Sequence, residues 1–102
     1  MAGFAKVATT DELPSGQAKK VDIGEKTIAL FNISGSYHAI DDTCTHEGGP
    51  LSEGEIEGNI VTCPWHGARF NVTTGEVVRL PAEESVSYYQ SRVNGSDIEV
   101  ES

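Results

Sequence analysis

Both cysteines of the chain and two of its three histidines fall into one spaced pattern: Cys44-Thr45-His46, sixteen intervening residues, then Cys63-Pro64-Trp65-His66. A chain that uses these four together must fold so that two short loops, separated in sequence, face each other at one place. Each loop offers one thiolate and one imidazole. A zinc finger usually groups its ligands as a Cys pair followed by a His pair around a single tetrahedral ion. The mixed order here suits a two-iron, two-sulfide cluster better, in which both thiolates bind one iron and both imidazoles the other. Gly48, Gly49 and Gly67 would let the backbone approach the bridging sulfides. A zinc site, a Cys–His nucleophilic pair and four incidental residues are the competing readings. The nucleophilic pair lacks an orienting acid or a nucleophile turn in either loop.

The rest of the chain supplies a scaffold of short strands. Strand signals recur at residues 4–8, 18–23, 27–33, 37–40, 59–62, 68–72, 76–78, 86–92 and 97–100, mostly separated by Gly, Asn, Ser or Asp. Hairpins are expected at Ser34-Gly35, Thr74-Gly75 and Asn94-Gly95. No stretch of a dozen residues carries a helical apolar period, although Thr10-Asp11-Glu12-Leu13 can form one capped turn ending at Pro14. The expected fold class is therefore all-β, with antiparallel sheets in a sandwich or barrel. The two irregular loops, 42–57 and 63–67, carry the chemistry.

Size and charge narrow the function classes. The 102 residues fit one domain, 1–102, since two independent units would each be short of core. The longest uninterrupted apolar run, Ile28-Ala29-Leu30-Phe31, is far below the roughly 20 residues that cross a bilayer, so no membrane span is expected. The N-terminus has no apolar stretch of signal-peptide length, so a cytoplasmic location is expected. A net charge of −9 argues against nucleic acid and for a basic partner. Residues 27–68 hold Asp41, Asp42, Glu47, Glu53, Glu55 and Glu57 without one Lys or Arg. These acids are expected either as a plain solvated face or as a negative rim around the metal site.

On Cys44-Thr45-His46 and Cys63-Pro64-Trp65-His66-Gly67-Ala68-Arg69-Phe70 the sequence resembles the Rieske family, and most closely the Rieske-type ferredoxins of multicomponent aromatic-ring dioxygenases. The likeness is strongest over residues 37–75. It implies an all-β Rieske-type fold with two cluster-binding loops at one end. It also implies one [2Fe–2S] cluster, with Cys44 and Cys63 on the inner iron and His46 and His66 on the outer. The function implied is one-electron transfer, not catalysis, from a flavin-containing NAD(P)H-dependent ferredoxin reductase to a terminal oxygenase. The high-potential branch of the family adds a disulfide between the loops and places serine and tyrosine hydroxyls on the cluster. Here Gly49 and Trp65 stand at the disulfide positions, and Ala68 and Phe70 at the hydroxyl positions. Two rival functions are an accessory subunit of a reductase such as nitrite reductase and a zinc-stabilised binding module. His38, outside both motifs, is expected to be structural. Trp65 is expected either simply to pack or to shield the cluster from water and offer a partner contact.

Overall fold

The computed structural model describes residues 3–43, 50–65, 67–79 and 86–101. Eleven strands run in chain order among them: β1 Phe4–Thr9, β2 Ala18–Ile23, β3 Lys26–Ile33, β4 Ser36–Asp41, β5 Glu55–Glu57, β6 Ile60–Thr62, β7 Arg69–Asn71, β8 Val77–Arg79, β9 Tyr88–Tyr89, β10 Ser91–Asn94 and β11 Asp97–Glu101. Two single 3₁₀ turns, Thr10–Glu12 and Leu51–Glu53, are the only helical elements among the described residues.

The strands make three antiparallel sheets, ordered β1-β11-β10, β2-β3-β4-β9 and β5-β6-β7-β8. β3 explains why they stack. Neighbouring residues of a strand point to opposite faces. Ala29 and Phe31 enter one core with Ile40, Val61, Phe70 and Val72, while Ile28 and Leu30 enter another with Ala8, Val21, Ile98 and Val100. The middle sheet is thus buried on both faces, and its central strand reads as an unbroken apolar run instead of an alternating one. Removing a side chain such as Phe31 from either core would cost about 3–5 kcal/mol.

Most expected strands are present, with three differences. Glu55–Glu57 forms β5 inside what the sequence presents as one irregular loop from 42 to 57. Its pairing with β6, Ile56 opposite Val61, buries only one apolar side chain between two glutamates. The expected strand at 86–92 is divided into β9, which pairs with β4, and β10, which pairs with β11, so the chain changes sheets near Gln90. The early turn is capped one residue sooner than expected: the Glu12 carboxylate accepts both the amide and the hydroxyl of Thr9, at 3.0 and 2.9 Å.

Candidate metal centre

The first Cys/His loop hangs from the end of β4. Thr43 and Pro50, the residues on either side of segment 44–49, pair as an isolated antiparallel bridge. The second loop is the connection from β6 to β7. Cys63 follows β6 directly; its amide donates to the Ala68 carbonyl at 2.7 Å, and its carbonyl accepts from Gly67 N at 3.2 Å. Gly67 sits at φ +77°, a conformation that L side chains rarely adopt, and this is why glycine follows the histidine of that motif.

The bases of the two loops meet in one core. Leu51, one residue past the first bridge, is buried in the same cluster as Cys63, Ala68 and Phe70. Gly54, just after the 3₁₀ turn, presses against β6: a Cβ there would overlap the Thr62 carbonyl oxygen and stand 2.9 Å from Val61 Cγ2. The exit of the first loop is therefore held against the entry of the second.

Of the four expected ligands, Cys63 is described, and Cys44, His46 and His66 lie outside the described residues, as do Glu47 and Gly49. Cys63 is a free thiol, 3% exposed, among apolar side chains. Among the described residues no group of three or more His, Cys, Asp or Glu is placed to hold a metal. Cys63, the described member of the expected donor set, fits a Rieske cluster as a buried soft sulfur donor, and Leu51, just past the other Cys/His segment, lies in the same core.

Ala68 and Phe70 are fully buried alongside Cys63, so an apolar wall backs that sulfur. Trp65, in contrast, is 55% exposed, so it is not packed into the core. His38 lies on β4 opposite Phe31; its Nδ1 is buried without a hydrogen-bond partner, and burial holds its pKa below the usual histidine value.

The acidic run divides by role. Asp41 is tied up: its carboxylate accepts the Tyr89 hydroxyl at 2.6 Å and the Ser87 amide at 3.1 Å. Asp42 is buried, and its Oδ1 accepts from Ser52 N at 2.8 Å. Only Glu53, Glu55 and Glu57 are exposed among the described members of the run, so they alone can form a negative rim there. Glu57 stands 3.7 Å from the Arg69 guanidinium, an exposed pair that contributes little stability. The sequence shows these charges but gives no sign of which ones the fold consumes.

Comparison with known proteins agrees with this arrangement. The model of the Rieske [2Fe–2S] domain family matches residues 3–90. The biphenyl dioxygenase ferredoxin subunit of Pseudomonas sp. (strain KKS102) is 37% identical over 99 residues, which are 96% of this chain and 91% of the relative. Among solved structures, the ferredoxin of carbazole 1,9a-dioxygenase from Nocardioides aromaticivorans IC177 superposes with a TM-score of 0.92 at 30% identity, covering 95% of both chains. A chain in a complex of reduced oxygenase and oxidized ferredoxin in carbazole 1,9a-dioxygenase matches with a TM-score of 0.89 at 30% identity, over 95% of this chain and 91% of that one. With Leu51 and Cys63, at the edges of the two Cys/His segments, in one core and a family match over most of its length, the chain belongs to the Rieske [2Fe–2S] domain family.

Proposed function

We propose that this chain is a single-domain Rieske-type ferredoxin, a one-electron carrier between a flavin-containing NAD(P)H-dependent reductase and a terminal oxygenase of the aromatic-ring dioxygenase type. The observation that carries the reading is a ferredoxin relative matched over nearly the full length of both chains. Cys44 and Cys63 would hold the inner iron and His46 and His66 the outer. When bound, the cluster supplies storage of a single electron, and the protein makes no product of its own. Cys63 and the apolar wall of Ala68 and Phe70 exclude water from the sulfur side, while exposed Trp65 offers a contact for a partner. No helix among the described residues is long and apolar enough to cross a membrane. A cytoplasmic location goes with this reading.

Iron and acid-labile sulfide analysis of purified protein tests it. We expect two irons and two sulfides per chain, lost alike on substitution of Cys44, His46, Cys63 or His66 and retained in His38→Ala. Colourless protein with one zinc after iron-replete expression would refute the cluster. Cluster loss in His38→Ala would overturn the ligand set.

A further inference from the structure

The 3₁₀ turn Leu51–Glu53 lies between the two ligand loops and is fastened at both ends by groups that are not ligands. At its start, Leu51 N donates to the Asp42 carbonyl at 2.6 Å and Ser52 N to the Asp42 carboxylate at 2.8 Å. The carboxylate belongs to a residue only 4% exposed, and Asp42 is itself held by the hydrogen bond that its backbone N donates to the Thr27 carbonyl at 3.0 Å. A buried carboxylate is retained where it makes charge-assisted bonds to backbone N–H groups. At the far end, Gly54 N closes the turn onto Leu51 O at 3.0 Å. Its missing Cβ lets the chain lie directly on Thr62, the residue before Cys63. Gly54 has φ −78°, so close approach and not backbone conformation demands glycine here.

We propose that this turn is the spacer that fixes the distance between the two ligand loops, with Asp42 and Gly54 as its positioning residues. Asp42 sets where the first loop ends, and Gly54 sets how near that end comes to the second loop. The inference rests on the Rieske reading above. The geometry of a cluster held by two loops follows their separation, so a change in the spacer alters the cluster without removing a ligand.

Electron paramagnetic resonance of the reduced holoprotein, with the rate of bleaching under a chelator, tests this. Asp42→Asn keeps the acceptor for Ser52 N and is expected to match the wild type in both. Asp42→Ala and Gly54→Ala are expected to show shifted, broadened signals and several-fold faster bleaching. Val100→Ala, which opens a cavity in the other core, is expected to lower thermal stability with the wild-type signal intact. Should Asp42→Ala not fold, Asp42→Glu, which displaces the carboxylate by one methylene, must show the same change. A wild-type signal in Gly54→Ala or in the Asp42 variant, an Asp42→Asn as perturbed as Asp42→Ala, or an equal change in Val100→Ala would overturn the spacer. A wild-type protein without any cluster would instead remove the reading on which the inference rests.

Discussion

Ala68 and Phe70 set the chemical tone around Cys63, since both are fully buried with it and neither carries a hydroxyl. Hydrogen bonds to the sulfurs stabilise the reduced state, so without hydroxyls at these two positions the potential is expected toward the low end of the Rieske range of roughly −150 to +300 mV. Ala68→Ser and Phe70→Tyr are each expected to raise the midpoint in protein-film voltammetry, and the double variant to raise it further. Unmoved midpoints would show that these positions do not face the cluster. Tyr89 supplies a pH prediction: burial, then its bond to the Asp41 carboxylate, pushes its pKa up to about 12. A raised folded pKa means that the contribution is complete below the unfolded value, about 10, and is lost as pH rises from there through about 12. Urea denaturation at a series of alkaline pH values is expected to show this extra loss in the wild type and not in Tyr89→Phe. Of the candidate site, the buried position of Cys63 agrees with the spacing that singles it out, while Cys44, His46 and His66 lie outside the described residues. The roles of Asp41 and Asp42 were not legible in the sequence, because partners 46 and 10 residues away leave no local mark.

Elements were readable where local chemistry agreed with tertiary need. β3 and β4 join at Ser34-Gly35, and their apolar pattern survives in the structure as the two-faced centre of the fold. β5 was hidden because three residues with glutamates on both sides carry no strand signal until β6 lies beside them. The split into β9 and β10 was equally hidden, since two tyrosines and a valine read as one run whichever sheet each half joins. Asn32 on β3 shows how an element holds a loop: its Nδ2 donates to Leu13 O at 2.8 Å and its Oδ1 accepts from Gly35 N at 2.8 Å. Asn32→Ala leaves a buried carbonyl without this partner and is expected to cost about 1–3 kcal/mol. Urea denaturation followed by far-ultraviolet circular dichroism would check it; a change below a few tenths would show that water replaces the amide.

The whole molecule is a three-sheet stack with Leu51 and Cys63, at the edges of its two Cys/His segments, in one of the two cores, and a net charge of −9. Lys6, Lys19, Arg69 and Arg92 each stand in an ion pair with an acid. Such a surface is expected to steer a basic partner at long range and to lose that advantage as salt shortens the screening length to roughly 8 Å at physiological ionic strength. Stopped-flow association with the physiological acceptor is expected to slow as salt rises. The joint neutralisation of Glu53, Glu55 and Glu57 to glutamines is expected to flatten that dependence while leaving the visible spectrum unchanged. A flat profile in the wild type would return the three glutamates to a solvated face. Carrying one electron at a time is the claim on which the rest depends, and an anaerobic dithionite titration followed by the visible spectrum measures it most directly. We expect bleaching complete at one electron per chain and full recovery on reoxidation; a protein that takes up no electron, or two, would contradict the account.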